Sequence, residues 1–434
     1  MIFNRLPLQL FKKRPFLGLF LFPVIILGSG YNPTISVVEI SGNEKTLDYV
    51  LEREIQHLPN LRLDSTLAEE DRNRLENLGI FSEVIWHAIP LEDGSALLRY
   101  KVTESIQKSP PGVFPIYEED TGWSVTGGWI VKNFRGRNQT LMLGGSVGGK
   151  DTYGINFNDP WMFGNHVSLS IGSGRSIFNH LFLNRKVEVS SFEISIGKWF
   201  GDHIKTSTGF ELETKSFKDS TESSFYFYFA PEASISYDTR DIFWNPSKGA
   251  LLSQRIYWMN GLSPSDYSQT NWRHSYSIYH QLNTAKKKLI MAINVTASFK
   301  MGAKDPDWMN YFGDSFTIRG WQLPSRELYS SGKESYRFGH EYIHGTLELR
   351  KDIIPKYATQ YGTEFGLGVV AFYDVGVLAH NREELMSRIP MSGAGFGIRI
   401  PLPMVDVLRM DYGWGYRDGA WNSGAFHWGV QQKF

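Results

Sequence analysis

Hydrophobic and polar residues alternate along most of the chain beyond residue 111, a pattern typical of β-strands with two different faces. In 289–300, for example, apolar side chains share one face, while Asn294, Thr296, Ser298 and Lys300 share the other. Beyond residue 104, no segment of helix length has its apolar residues at helical spacing. This part of the chain is therefore predicted to be all β.

Sixteen segments beyond residue 111 alternate in this way. The predicted strands are 112–117, 122–132, 138–148, 152–159, 165–174, 185–199, 203–215, 225–238, 249–260, 269–283, 288–300, 339–350, 363–374, 391–401, 405–416 and 425–434. Such strands form a transmembrane barrel when their apolar faces meet lipid and their polar faces line a lumen. An even count brings both barrel ends to the same side, so the longest connection, about 301–338, falls on the opposite, external side.

A different order of elements precedes the barrel at 34–104. A strand at 35–41 is followed by two segments of helical spacing, the first capped by Thr46 and running from Leu47 to Leu58, the second near 66–78. Two further strands, at about 81–90 and 96–103, close the unit. The pattern predicts a small α+β domain.

The first 30 residues combine basic residues with a short apolar run, as in a cleavable secretory signal peptide. A membrane anchor is the alternative, but the run is shorter than the roughly 20 residues of a spanning helix. No apolar stretch of spanning length follows residue 30. Within a membrane, closure into a barrel then remains the way to satisfy the backbone hydrogen bonds. The expected domains are a signal peptide (1–30), the α+β domain (34–104) and the barrel (111–434).

The amino-acid composition narrows the range of possible functions. Aromatic residues make up 15% of the chain and there are 42 Gly, which fits short strands with aromatic girdles at the membrane surfaces. Lys plus Arg equal Asp plus Glu at 45 each, so nucleic acid is not an expected partner. There is no Cys, and the 11 His show no metal-ligand spacing. No catalytic residues, metal or cofactor are predicted, and the protein is not expected to be an enzyme.

Segments of the small domain carry a family resemblance. They are VVEISGN at 37–43, LEREI at 51–55, RLENLGIFSEV at 74–84 and LLRYKVTE at 97–104. Together they resemble a polypeptide-transport-associated (POTRA) domain. The resemblance implies a periplasmic module with a sheet edge that adds a strand from an incompletely folded client through main-chain hydrogen bonds.

Five motifs in the barrel region, in the family's order, resemble the BamA/TamA superfamily of outer-membrane insertases, also called the bacterial surface antigen family. They are NFRGRNQ at 133–139, INFNDPWMFG at 155–164, YDTRDIFWNPSKG at 237–249, GDSFTIRGW at 313–321 and FYDVG at 372–376. The resemblance implies localisation in the bacterial outer membrane. The main insertases of the family have several POTRA domains, so a chain with one fits an accessory or lineage-specific member.

The Arg-Gly-aromatic motif, Arg319, Gly320 and Trp321, lies in the long external connection. If the connection folds into the lumen, a buried Arg needs a carboxylate partner. Glu348 and Asp374 lie on polar faces of later strands and are the expected partners, as inner-wall acids are in the family. Gly320 permits a backbone geometry that Ala resists. The GAGFG segment at 393–397 is expected to ease packing near this loop. The alternative is an exposed loop with an incidental Arg.

The last strand predicts a second functional feature. Phe426, Trp428, Val430 and Phe434 are expected on one face, which resembles the C-terminal signal by which barrels are recognised for assembly. The first strand contains Pro115, which cannot donate a ladder hydrogen bond. We therefore expect a poorly paired seam between the first and sixteenth strands, one that opens laterally and templates client strands.

These features predict a factor that inserts or translocates polypeptides at the outer membrane. The expected partners are unfolded client polypeptides, outer-membrane lipids and accessory periplasmic proteins. The alternative is a dedicated secretion pore for one passenger, although such translocators usually carry a helical plug and two POTRA domains. A passive porin would leave the POTRA-like domain unexplained.

Overall fold

The computed structural model describes residues 32–108, 112–219, 222–262, 266–285, 287–359, 363–402 and 406–434. The predicted signal peptide lies outside these residues. The described part of the chain forms a small α+β unit followed by a closed β-barrel. No helix in these segments is both long enough and apolar enough to cross a membrane.

The α+β unit is a three-stranded sheet covered by two helices. Its elements are β1 (Ile35–Ser41), α1 (Asp48–Glu52), α2 (Ser65–Asn77), β2 (Phe81–Pro90) and β3 (Ala96–Glu104). The central strand β3 pairs with β1 in parallel and with β2 antiparallel. Apolar side chains from both helices and all three strands form one core, since the alternating strand positions meet the helical stripes.

The first helix is much shorter than predicted, and Thr46 is not its cap. Asp71 is buried on α2 and accepts hydrogen bonds from the backbone amides of Gln56 (2.8 Å) and His57 (3.0 Å). Those amides are therefore not available to an extended α1. Thr46 Oγ1 instead donates to Glu104 Oε1 (2.7 Å) and accepts from Asn133 Nδ2 (2.8 Å) in the barrel.

The barrel contains sixteen strands among the described residues, as predicted. The first eleven are β4 (Gly112–Glu118), β5 (Gly122–Phe134), β6 (Gln139–Gly148), β7 (Lys150–Asp159), β8 (Val167–Asn179), β9 (Lys186–Phe200), β10 (Ile204–Lys218), β11 (Ser223–Asp238), β12 (Gly249–Leu262), β13 (Ser268–Gln281) and β14 (Leu289–Gly302). After the long connection follow β17 (Glu341–Ala358), β18 (Glu364–Ala379), β19 (Met391–Leu402), β20 (Asp406–Arg417), β21 (Ala420–Trp421) and β22 (Ala425–Val430). Because β21 and β22 both pair with β20, they form one interrupted strand. The barrel closes between β22 and β4, a boundary we call the seam.

The long connection, residues 303–340, is a folded loop. It contains a small hairpin of β15 (Asn310–Tyr311) and β16 (Phe338–Gly339), the helix α3 (Arg326–Ser331) and two single 3₁₀ turns. A second short helix, α4 (Arg382–Ser387), joins β18 to β19. Neither helix is longer than six residues, which agrees with the absence of helix-length periodicity in the sequence.

The α+β unit lies against successive turns at one end of the barrel. Leu47 N donates to Gly136 O (3.0 Å) in the first turn, and Arg53 lies 4.2 Å from the ring centre of Trp161 in the second. Asn77 contacts a later turn, where its Oδ1 accepts from Phe243 N (2.8 Å). These contacts fix the small unit beside the strand ends at which β4 begins and β22 ends.

Candidate functional site

Arg319 is the centre of the loop inside the lumen. Its guanidinium binds Asp374 through Nε (2.8 Å) and Nη2 (3.0 Å), while Nη1 donates to Glu348 Oε1 (2.7 Å). The backbone amide of Arg319 also donates to Asp374 Oδ2 (3.0 Å). All three side chains are 0% exposed. The structure thus brings together the Arg and the two acids named from the sequence.

Gly320 and Trp321 hold the loop against the wall of β19 and β20. Gly320 has φ +87°, and a Cβ there would lie 2.6 Å from the carbonyl carbon of Trp414. The indole Nε1 of Trp321 donates to Ser392 O (2.8 Å). The GAGFG segment does make room for the loop, since a Cβ on Gly393 would lie 1.8 Å from Arg319 O. Close backbone approach therefore requires glycine on both sides of the contact.

Further charged residues surround Arg319, and the sequence reasoning did not assign them. Asp411 accepts from Arg319 Nη1 (3.1 Å) and from Arg399 Nη1 (2.6 Å). Arg350 donates to Glu348 Oε2 (2.8 Å), and Lys433 Nζ lies 2.9 Å from Asp374 Oδ1. The signal available in the sequence for Arg350, Arg399 and Asp411 was strand parity, because they share the polar faces of their strands. Lys433 lies beyond the last strand and had no such signal. We call the set Arg319, Glu348, Arg350, Asp374, Arg399, Arg409, Asp411 and Lys433 the luminal cluster.

The prediction that Phe434 shares a face with Phe426, Trp428 and Val430 is wrong. β22 ends at Val430, and Gln431 has φ +68°, which turns the chain into the lumen. The Phe434 ring stacks on Tyr279, with 6.1 Å between ring centres, and lies 4.9 Å from the Arg350 guanidinium. Phe426 does face outward, at 59% exposure. The ion pair of Lys433 with Asp374 (2.9 Å) stabilises the inward turn.

The seam carries a polar contact between the two strands that close the barrel. Glu119 lies just after β4, and its carboxylate is 3.3 Å from His427 Nδ1 and accepts from Trp428 N (3.1 Å). His427 Nε2 in turn accepts from Gly320 N (3.0 Å). Glu119 is thus connected through His427 to the luminal loop.

Both seam strands are short. β4 has 7 residues and β22 has 6, whereas β10 and β11 have 15 and 16. Pro115 removes one more donor from β4. A cavity of about 770 Å³ crosses the seam and is lined by Tyr117, Trp123, Met410 and Phe426 as well as Glu119 and His427. The shorter strand limits the number of ladder hydrogen bonds that can close the seam.

No group of three or more His, Cys, Asp or Glu side chains within the described segments is arranged to hold a metal ion. The carboxylates of the luminal cluster are instead bound by cations of the chain itself. The geometry supports anchoring of a loop and closure of a seam.

The profile of the Omp85 superfamily domain matches residues 133–434 of this chain. The chain belongs to the Omp85 superfamily. The POTRA profile, described as a surface antigen variable number repeat, matches residues 33–105, so the α+β unit is a single POTRA domain. This Omp85 protein lies in the bacterial outer membrane with its POTRA domain in the periplasm.

One curated relative and two solved structures are similar to this Omp85 chain. The outer membrane protein assembly factor BamA of Neisseria meningitidis serogroup B is 27% identical over 174 residues, which are 38% of this chain and only 21% of that protein. BamA from Haemophilus ducreyi lacking POTRA domains 1–3 has a TM-score of 0.54 at 15% identity, covering 92% of this chain and 83% of that chain. CdiB from Escherichia coli has a TM-score of 0.51 at 11% identity, covering 95% and 92%. The two structures show a shared fold.

The POTRA position gives the Omp85 barrel its orientation. The turns that contact the POTRA domain are periplasmic, so loop 303–340 enters the lumen from the external side. Glu119 lies at the external end of β4, while the inward-turned residues 431–434 lie nearer the periplasm. The luminal cluster is therefore reached by the loop from one side and by the chain terminus from the other.

Proposed function

We propose that this protein assembles polypeptides into the outer membrane by opening the seam and pairing its exposed strand edges with strands of a client. The observation that carries the proposal is the seam itself. It joins the 7-residue β4 to the 6-residue β22, and Glu119 and His427 bridge it. An exposed strand edge binds other strands through main-chain hydrogen bonds, largely without regard to their side chains.

The length of the seam strands also supports lateral insertion. Seven residues extend about 24 Å along a strand at about 3.4 Å per residue. A tilt of about 35–45° reduces this to about 18 Å across the membrane, less than the apolar band of about 25 Å in such barrels. Lipid beside β4 and β22 is then thinned, which lowers the barrier for strands that enter there. The outer-membrane lipids are thus part of the proposed mechanism.

The POTRA domain supplies the capture step in this proposal. Its sheet order places β1 and β2 at the edges, where a client segment in extended conformation can add a strand. The domain lies beside the periplasmic ends of the barrel strands, and Leu47 N donates to Gly136 O (3.0 Å) in the turn after β5, the strand that pairs with β4. A captured segment is therefore delivered near the seam. Accessory periplasmic proteins are proposed as further partners on the exposed faces of this domain.

A secretion pore for a single passenger is the second candidate, since the CdiB fold is shared. A passenger would cross through the lumen, which loop 303–340 fills by way of the buried Arg319. Expelling the loop would leave the carboxylates of Glu348 and Asp374 without their central cation, at a cost of several kcal/mol. The lateral route leaves these ion pairs intact, so we favour it.

Depletion of the protein in its native host, followed by quantitative proteomics of purified outer membranes, distinguishes the two functions. An assembly factor predicts a loss of several barrel proteins together. Loss of one secreted product with barrel proteins unchanged would identify a dedicated pore and contradict the proposal.

A further inference from the structure

The luminal cluster contains more cations than carboxylates. Its cations are Arg319, Arg350, Arg399, Arg409 and Lys433, each with a side chain 5% exposed or less, and its acids are Glu348, Asp374 and Asp411, each 0% exposed. Buried charges are costly unless an opposite charge and hydrogen bonds compensate them. The cluster therefore has five cationic and three anionic side chains, and of the cations Arg350 also donates to the Phe434 backbone oxygen (3.3 Å).

Arg409 is the cation of the luminal cluster that has no hydrogen-bond partner among the described residues. None of its three guanidinium nitrogens has a hydrogen-bond acceptor in the described part of the chain, although the residue is 0% exposed. Its guanidinium lies 4.5 Å from the ring centre of Phe316, a contact that supplies no acceptor atom. On the neighbouring strand β19, the residue directly paired with Arg409 is Arg399, which carries the same charge. Asp411 already binds Arg399 and Arg319.

The Arg409 guanidinium lies over the seam strand. Its pair on β22 is Gly429, and a Cβ on Gly429 would lie 3.1 Å from Nη2 and 3.5 Å from Nε of Arg409. Glycine therefore leaves space for the guanidinium to reach across β22 toward the next strand. That next strand is β4 (Gly112–Glu118), whose one charged residue, Glu118, is exposed and accepts from Thr121 Oγ1 (2.8 Å). Among the described residues, the resident neighbour thus supplies no carboxylate to Arg409.

We infer that Arg409 binds a carboxylate carried by a client strand that adds to the edge of β22 when the seam opens. The inference rests on the proposed function and specifies a chemical preference for its clients. A planar guanidinium with several free donors matches a carboxylate in a two-point hydrogen-bonded pair. Because Arg409 is on the luminal face, opposite in parity to lipid-facing Met410 and Tyr412, a lipid headgroup does not meet it. The carboxylate therefore belongs to a luminal side chain of the added strand.

Binding of strand peptides to the purified full-length protein in lipid nanodiscs tests this inference. The probes are fluorescent amphipathic peptides of about ten residues, the length of one transmembrane strand. Each carries one Glu at a different polar-face position and is matched by a peptide with Gln there. Fluorescence anisotropy gives the affinities. We expect one Glu peptide to bind about tenfold more tightly than its Gln match, a difference of about 1.4 kcal/mol.

Two variants assign the preference to Arg409. In Arg409→Gln the Glu and Gln peptides should bind equally, whereas Arg409→Lys should retain part of the preference because it keeps the cation. The matched control is Arg255→Gln, which removes a luminal cation on β12 that is already paired with Glu232. It should keep the full preference. Resistance of each purified variant to SDS at room temperature verifies that the barrel is folded.

The outcomes separate this inference from the proposed function. Equal binding of every Glu and Gln pair to the wild-type protein, or a preference that persists in Arg409→Gln, overturns the role of Arg409 and leaves strand addition standing. Absence of binding by all peptides contradicts strand addition at the seam, and the inference falls with it.

Discussion

At the scale of single residues, the hydrogen bonds and ion pairs of Arg319 organise the lumen. The guanidinium makes a two-point contact with Asp374 and lies 3.7 Å from the ring centre of Phe372. Charge-assisted hydrogen bonds of this kind are roughly twice as strong as neutral ones. Removing one member of a buried ion pair costs about 3–5 kcal/mol. The loop is therefore held by a few strong contacts that need exact backbone placement.

Gly320→Ala should destabilise the loop much more than an equivalent change elsewhere in it. A left-handed conformation costs an L-residue about 1–2 kcal/mol, and the clash of the new Cβ with Trp414 adds about 1–3 kcal/mol. Gly332→Ala is the matched control, because Gly332 also has positive φ (+67°) but no atom within 4 Å of its Cβ position. The urea midpoint of unfolding in detergent should fall clearly further for Gly320→Ala. Equal losses would contradict the close contact with β20.

Arg409→Met should stabilise the protein in the absence of clients. The change removes a buried charge that has no hydrogen-bond partner in the described part of the chain, and it keeps a long apolar side chain over Gly429. Replacing buried charges with apolar residues of similar size is often stabilising by about 1–4 kcal/mol. The urea midpoint should therefore rise. A fall of the same size would show that Arg409 has a structural role in the closed barrel.

The sequence predicted part of the luminal cluster. Glu348 and Asp374 were found because strand parity places them on the polar face and a buried Arg needs acids. Asp411 has the same parity, but parity alone does not tell which polar residue reaches the loop. The position of Phe434 was predicted wrongly, because continued alternation was assumed across Gln431, where the backbone turns. Contacts that depend on three-dimensional closure, such as Glu119 with His427, have no local signal.

At the scale of elements, the strands were predicted closely because lipid imposes a strict requirement on them. Each strand must present apolar side chains outward at every second position, so β14, predicted at 288–300, is found at Leu289–Gly302. Helix α1 was predicted too long, because competition from the Asp71 carboxylate for backbone amides is not visible in an apolar pattern. The spacing of apolar residues thus predicts an element well where a single boundary, here that between lipid and lumen, decides which of its faces is apolar.

The external connection between β8 and β9 should loosen on acidification. Burial, followed by the charges of Lys215 and Arg185, lowers the pKa of His180 to about 4. Because this folded-state pKa lies below the ordinary value of about 6.5, the neutral form is stabilised, and stability is lost as the pH falls from about 6.5 toward 4. Protonation also removes the acceptor for Leu183 N (3.2 Å).

A fluorophore on a cysteine introduced as Asn184→Cys reports this change, since the chain has no other Cys. Its anisotropy should fall between pH 6.5 and 4 as the connection becomes mobile. The additional substitution His180→Asn keeps a hydrogen-bond acceptor that does not titrate, and it should remove the pH dependence. Persistence of the same transition in that variant would exclude His180 as its cause.

At the scale of the whole molecule, the barrel is contacted at one end by the POTRA domain, entered at the other by a loop, and closed at the seam by two short strands. The POTRA domain lies against the periplasmic turns, and loop 303–340 fills the lumen from outside. The strand pairs far from the seam are long, such as β10 with β11, which are paired over 15 residues. The two seam strands have 7 and 6 residues, which limits the number of hydrogen bonds that an opening there would break. This difference in pairing is the physical basis of the proposed lateral route.

A disulfide across the seam tests the central proposal most directly. Tyr117→Cys with Trp428→Cys joins β4 to β22, because the rings of these residues are neighbours (6.4 Å between centres). The matched control is Ile278→Cys with Ile293→Cys, a directly paired position on β13 and β14 away from the seam. Both double variants are reconstituted in liposomes, and folding of a urea-denatured barrel client is measured with and without reductant.

We predict that the oxidised seam variant does not fold the client, that reductant restores its activity, and that the control pair is active in both states. Full activity of the oxidised seam variant, with the disulfide verified by mass spectrometry, would contradict lateral opening.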